Sequence, residues 1–302
     1  MSMHTEASDR VEVAVIGGSY AGLSAALQLA RARRSVAVVD AGLRRNRFAA
    51  HAHGFIGQDG RAPGDIAAAG RADLLAYRTV RWHAGTAVAA QADGDGFRVE
   101  LAAGAAIRAR RLVLAIGVED RLPSLDGLAE RWGRSVFHCP YCHGYELDEG
   151  RIGVLASSEL SQHHAMLLPD WGRVTLFTDG RYTPDAAQRS ALIARGVAIE
   201  PAAVTAIVDT ATVVLADGRR IELDGLFTLS RTEINGSLAD QLGCATEAGP
   251  LGAYLRTDET KATSVPGVFA CGDAARMAGS IAFAVADGMQ AGVAAHRSLI
   301  VA

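Results

Sequence analysis

Cysteine is scarce in this chain, with four among 302 residues, and two of the four stand close together. So few cannot build a disulfide framework, and in a reducing compartment a close pair points to metal or redox chemistry instead. Charge of one sign is also lacking: the net charge is -3, with no cluster of Lys and Arg such as a nucleic-acid or membrane partner would favour. No uninterrupted apolar run approaches the roughly 20 residues needed to span a bilayer. The opening MSMHTEASDR is polar and has no apolar core of the kind a signal peptide carries, so a cytoplasmic protein is expected. There is no low-complexity tract. What remains is the composition of a compact protein, 49% hydrophobic and 21% charged, and the length allows about two domains.

The first element is VEVAVIGG at 11–18, a continuous β-branched run ending in glycines, which reads as a fully buried parallel strand. AGLSAALQLARARR follows with helical spacing, then SVAVVDAG at 35–42 as a second buried strand. Strand, glycine turn, helix and strand within about 30 residues is the βαβ dinucleotide-binding unit. Its turn, Gly17-Gly18-Ser19-Tyr20-Ala21-Gly22, is a G-x-G-x-x-G pattern with Ser19 at the second glycine. Such a turn brings backbone N–H groups and a helix N-terminus up to a pyrophosphate. Asp40 ends the second strand, where a carboxylate can bind ribose hydroxyls. Further on, VRWHAGTAVAA and GFRVELA, joined by ADGDG, read as a hairpin, and RLVLAIG at 111–117 as a buried strand.

A second α/β pattern starts at RIGVLA (151–156), continues through VTLFT, VAIEP and TVVLAD, and closes at GLFTLS (225–230). In the last segment, FACGDAA sets Gly272-Asp273 after a buried strand, where the acid can hold a flavin ribityl chain. A small-residue helix then begins near Ser280-Ile281, its positive end suited to negative charge on a reduced flavin.

The close cysteine pair lies in HCPYCHGYE at 138–146. Cys139 and Cys142 have the C-x-x-C spacing that closes a small disulfide ring, and His138 and His143 bracket them with a titratable base that can also carry positive charge. Half of a zinc site is the bland alternative, but zinc needs four ligands and Cys244 and Cys271 are isolated, so no metal is expected. Those two are expected to be packed thiols, and His163-His164 a solvated or packed pair.

Over nearly its whole length the chain resembles the low-molecular-weight thioredoxin reductases, through VIGGSYAGLSAA, LAIG at 114–117, the central C-x-x-C and TSVPGVFACGD. The resemblance implies an α/β protein of two Rossmann-like (three-layer ββα) nucleotide-binding domains, the second inserted in the first. The FAD domain would be 1–119 and 236–302, and the insert, with the cysteines, 120–235. It further implies a homodimer, FAD held around Gly17–Gly22, Asp40, Gly117, Gly272-Asp273 and Ser280-Ile281, and Asn46 and His53 over the flavin. Cys142 would be nearest the flavin and Cys139 the interchange cysteine.

Two departures narrow the resemblance. In the insert, LASSELSQ puts Ala156, Ser158 and Ser161 where an NADPH-binding G-x-G-x-x-A turn should stand. Thr178-Asp179-Gly180 replaces the cationic cluster that grips a 2′-phosphate. A pair flanked by histidines, with the NADPH site lost, is similar to the FAD-dependent dithiol oxidases that close the disulfides of gliotoxin and holomycin. That similarity implies a small-molecule dithiol as substrate, His143 or His138 as base, and oxygen as final acceptor, giving hydrogen peroxide. The rival expectations are a disulfide reductase fed by NADPH or a protein donor, and a flavin redox sensor without turnover.

Overall fold

A computed structural model of the protein describes residues 9–301. Among these, no helix is long and apolar enough to cross a membrane. The chain divides into two compact units. The first comprises the chain through Arg45, Gly64–Glu119 and the chain from Thr232 onward, and the second Asn46–Pro63 and Asp120–Arg231.

The first unit is built on a sheet of β1 (Asp9–Ile16), β2 (Val36–Asp40), β3 (Val80–Ala84), β4 (Ala87–Asp93), β5 (Gly96–Leu101) and β6 (Ala106–Leu114). Their order is β3-β2-β1-β6-β5-β4, and the strand Val268–Ala270 also pairs with β6. Val13, Val15, Val36 and Val38 are wholly buried, as a parallel strand covered on both faces requires. Only part of the expected hairpin is one. Ala87–Asp93 and Gly96–Leu101 pair antiparallel, but Val80–Ala84 joins β2 in parallel, with Val36 opposite Val80. A hairpin pattern and a short buried strand share the same alternation, so only the long-range partner tells them apart.

Helix α1 (Tyr20–Arg31) lies against the C-terminal helix Ile281–Ser298. Gly288 and Gly292 make that approach possible. A Cβ on Gly288 would stand 3.0 Å from the Ala21 Cα and run into its carbonyl oxygen, and one on Gly292 would stand 2.9 Å from the Ala25 Cα. Ser24 Oγ donates across the same contact to the Val285 carbonyl at 2.7 Å.

The second unit holds a wholly parallel sheet in the order Ala198–Glu200, Arg173–Phe177, Arg151–Leu155, Gly225–Thr228, Val136–Phe137. TVVLAD lies outside it, in a small antiparallel sheet of Val204–Val208, Thr212–Leu215 and Arg220–Ile221. The edge strand Val136–Phe137, only two residues long, runs directly into the cysteine segment.

The glycine contact between the helices yields a prediction. Gly288→Ala should cost roughly 1–3 kcal/mol, because a packed backbone must move aside. Thermal melting of the flavin-loaded protein should show a transition several degrees lower; an unchanged melting temperature would mean the helices part without cost.

Candidate active site

In the first unit, three parallel strands end level with one another: Ile16 lies opposite Leu114, and Leu114 opposite Ala270. The loops that carry Gly17, Gly117 and Gly272 therefore leave the sheet along one edge, at the carboxyl ends of the strands, where open α/β sheets bind ligands. Gly17 sits at φ +104°, and a side chain there would collide with the Ala115 carbonyl. A Cβ on Gly22 would strike the Gly17 carbonyl, so the turn is closed as tightly as backbone permits.

The Gly18 N–H donates to Asp40 Oδ1 at 3.1 Å, which ties the turn to the end of β2. Ser19 caps α1 in an extended conformation (φ -91°), and its hydroxyl makes no capping bond to the helix. Ala21 and Tyr20 open that helix, both buried. Asp273 follows in a short 3₁₀ turn, accepting from Arg45 Nη1 at 2.8 Å and lying so close to Gly279 that a Cβ there would meet its Cγ at 2.6 Å. Ser280 caps the C-terminal helix by accepting the Phe283 N–H at 3.1 Å, and Ile281 is its first residue.

A tight glycine turn opening a helix, with carboxylates beyond two strand ends on the same edge of the sheet, suits the pyrophosphate and hydroxyls of a dinucleotide. Sequence reasoning missed Arg45 and Asn235 here. Asn235 Nδ2 donates to the Ile116 carbonyl at 2.9 Å, holding the Gly117 turn (φ +67°) in place. Nothing in the local pattern marks either residue.

The second unit carries the cysteines. After the buried Phe137, the backbone enters a one-turn helix, Pro140–His143, with Cys139 at its N-cap and Pro140 at its first position, where a missing N–H costs nothing. That turn brings Cys139 and Cys142 to a Cα separation of 5.3 Å, and they are joined as a disulfide. Gly144 must be glycine, since a Cβ would press on the Pro140 carbonyl at 2.7 Å and the Trp171 ring at 2.9 Å. Tyr141 meets Trp171 edge-on at 5.3 Å and is mostly exposed.

His143 stacks on Phe137 with ring centroids 4.3 Å apart. Burial pushes its pKa down to about 4, the nearby Glu146 opposing and His53 assisting the fall. His138 lies 6.0 Å from the Trp132 ring. Asn46 and His53, expected over the flavin, belong to this unit. His53 turns toward the cysteine segment because carboxylates flank it, Glu146 Oε1 at 3.3 Å from Nε2 and Asp59 Oδ1 at 3.6 Å from Nδ1. Asn46 opens the same segment, its carbonyl accepting the Ala49 N–H at 3.2 Å. His163 and His164 part company: the first is exposed and the second buried.

The turn after Arg151–Leu155 is filled by its own side chains. Ser161 Oγ accepts the Ser157 N–H at 3.0 Å, taking up a donor that a phosphate would need. Tyr182 is buried and hydrogen-bonded to Gln162. Asp179 Oδ1 accepts the Val204 N–H at 2.7 Å, and Arg181 has Asp179 at 3.9 Å. Of the two free cysteines, Cys271 is sealed away with its thiol pushed up to about 12 by burial, and Cys244 lies against Thr263. Among the described residues no group of three or more His, Cys, Asp or Glu is placed to hold a metal ion.

The family model for pyridine nucleotide-disulphide oxidoreductases matches residues 11–296. A thioredoxin reductase of Claviceps purpurea, tcpT, is 34% identical, over 97% of this chain and 95% of that one. Among solved structures, an oxidoreductase from Agrobacterium tumefaciens is 55% identical with a TM-score of 0.94, covering 96% of this chain and 99% of that one. HlmI is 36% identical with a TM-score of 0.88, over 96% and 92%.

The two buried histidines set an acid limit on stability. Both titrate near 6.5 when unfolded and near 4 in the fold. Between those values the unfolded chain binds more protons, so stability rises with pH across that window and is complete above it. Denaturant midpoints should be flat above pH 7 and fall from about pH 6.5 downward, with His164→Phe reducing the slope between pH 6.5 and 5. Identical slopes in variant and parent would contradict the burial argument.

Proposed function

The chain belongs to the pyridine nucleotide-disulphide oxidoreductase family, as a thioredoxin reductase-like FAD flavoprotein, and on that premise we propose that it is a dithiol oxidase closing a disulfide in a small molecule. The observation that carries this reading is an asymmetry. The turn at Gly17–Gly22 is built on glycines at which a Cβ would collide with its surroundings, while its counterpart in the second unit carries side chains, with Ser161 bonded to the Ser157 N–H and Gln162 to Tyr182. A carboxylate, Asp179, stands where a 2′-phosphate needs cations. On this reading the electrons enter from the thiol side.

FAD would be held by the Gly17–Gly22 turn, Asp40, the Gly117 turn, Asp273 and the helix end at Ser280-Ile281. When bound, it would supply an acceptor for two electrons, with oxygen as the final acceptor of this reading and hydrogen peroxide as the product. The chain's own residues do the thiol chemistry. His143 or His138 takes the proton of a substrate thiol. The resulting thiolate attacks Cys139, the Cys139–Cys142 bond breaks, and Cys142 leaves as thiolate. The second substrate thiol then attacks the mixed disulfide, closing the product and freeing Cys139.

Burial holds the His143 ring neutral at pH 7, with a lone pair free to take a thiol proton, and makes it a weaker base than an exposed imidazole. The setting of this reading is the cytoplasm and a homodimer, with neither nucleic acid nor membrane as partner. The name of the Claviceps relative favours one rival, a thioredoxin reductase.

One anaerobic titration separates the two. NADPH should leave the flavin yellow, dithiothreitol should bleach it, and air should restore it with peroxide; rapid bleaching by NADPH would establish the reductase. His143→Ala should lower turnover about 10²-fold or more while keeping the yellow colour. Unchanged turnover would move the base role to His138.

A further inference from the structure

Cys139, the sulfur that a substrate thiol attacks, has an aromatic neighbour that the reaction as written does not use. Tyr141 stands between the two cysteines on the one-turn helix Pro140–His143 and is 72% exposed, whereas Pro140 is buried and Cys139, Cys142 and His143 are half-buried. A lone exposed tyrosine is ordinary on a protein surface. This one is held in place. Its ring meets Trp171 edge-on, with centroids 5.3 Å apart and planes at 90°. Trp171 is itself packed against the core of the second unit, with Leu147 and Met166. Gly144 stands so close to it that a Cβ there would lie 2.9 Å from the indole Cγ.

The backbone under the tyrosine is equally fixed. The Cys142 N–H donates to the Cys139 carbonyl at 3.2 Å, and the Gly144 N–H to the Pro140 carbonyl at 2.7 Å. The disulfide cross-links the same turn. A ring braced on a tryptophan and tethered through a cross-linked turn has little freedom left to lose when a ligand covers it. Gly144 keeps helical backbone (φ -71°, ψ -40°), so Tyr145, four residues beyond Tyr141, rises on the same side of the turn and is 84% exposed. The adjoining carboxylate, Glu146, faces His53 at 3.3 Å. The open surface beside the disulfide is therefore aromatic.

We infer that Tyr141, braced by Trp171, is a specificity-determining residue that selects dithiols carried on a planar ring, aromatic or amide. The inference rests on the dithiol-oxidase reading of the same centre. Tyr141 follows Cys139 by two residues, at most ~7 Å of chain, so the carbon frame bearing the attacking thiol comes within reach of its ring. A flat frame gains offset stacking there in addition to buried area, which a flexible aliphatic chain does not. The redox step is unchanged. The dithiol loses two protons and two electrons as its disulfide closes, and the opening Cys139–Cys142 bond takes both electrons. One proton goes to the histidine base and the other to Cys139 as its thiol, while Cys142 remains thiolate.

The test compares two dithiols in the anaerobic bleaching of the flavin-loaded protein. Ortho-xylylenedithiol carries its thiols on a benzene ring, and dithiothreitol has the same four-carbon spacing without a ring. In the parent, bleaching should saturate at a lower concentration of the ring-bearing dithiol. The ratio of their second-order rate constants should fall about tenfold in Tyr141→Ala, through weaker saturation rather than a slower limiting rate. Tyr141→Phe keeps the ring and should keep the ratio. Trp171→Leu should lower it part of the way by freeing the tyrosine. An unchanged ratio in Tyr141→Ala, or equal losses for both dithiols, would overturn the inference. Equal saturation by the two dithiols in the parent would overturn it without any variant. If neither dithiol bleaches the parent, the oxidase reading itself falls and the selection falls with it.

Discussion

Parallel pairing of β1, β6 and the strand Val268–Ala270 brings Ile16, Leu114 and Ala270 level at one edge of the first sheet, although more than 250 residues separate the first from the last. Every group assigned to the flavin, Asp40 after Val39 opposite Ile16 included, leaves the sheet from that edge or from the helix that follows it. The alignment depends on how closely the flanking helices can approach. Gly22 lets α1 settle on the turn at Gly17, and Gly288 and Gly292 let the C-terminal helix settle on α1. Side chains at these positions would leave the strands paired but shift the loop carrying Asp273 away from the turn carrying Gly17.

The second unit shows what the same architecture becomes when its turn carries side chains. There the strand ends support a buried aromatic row rather than a phosphate cradle. Phe137, Phe227 and their flanking histidines occupy the sheet beneath the cysteine helix. The consequence is electrostatic: burial, with Phe137 against His143 and Phe227 against His164, strips water from both imidazoles and holds them neutral. A neutral imidazole next to Cys142 has a lone pair to offer a thiol proton, whereas a charged one would only stabilise a thiolate.

Much of this was legible in the sequence because its cause is local. A glycine forced by backbone contact one turn away, as at Gly22 against the Gly17 carbonyl, leaves its mark within six residues. The C-x-x-C spacing is likewise a property of one helical turn, and the ruined second turn shows in Ala156, Ser158 and Ser161. What escaped depends on partners distant in sequence. Val80–Ala84 reads as half of a hairpin until Val36–Asp40 claims it in parallel. Residues 46–63 follow a flavin-domain strand in the chain, yet Glu146 and Asp59 draw His53 into the other unit. His163 and His164 are indistinguishable as letters, and only the position of Phe227 sends one inward. Tyr182 bears no motif at all, although it closes the crevice that a cofactor would need.

That closure also bears on the direction in which such a chain can change. A lost binding motif is often pictured as a few wrong letters awaiting reversion. Here Tyr182 is packed into a core with Leu192 and Val197, and Asp179 accepts the Val204 N–H. Removing the Ser161 hydroxyl or placing a cation at 179 would break existing hydrogen bonds before any new ligand could replace them. Each single step back toward a pyridine-nucleotide enzyme therefore passes through a less stable protein. The specialisation behaves as a ratchet, held by packing rather than by selection on the reaction alone.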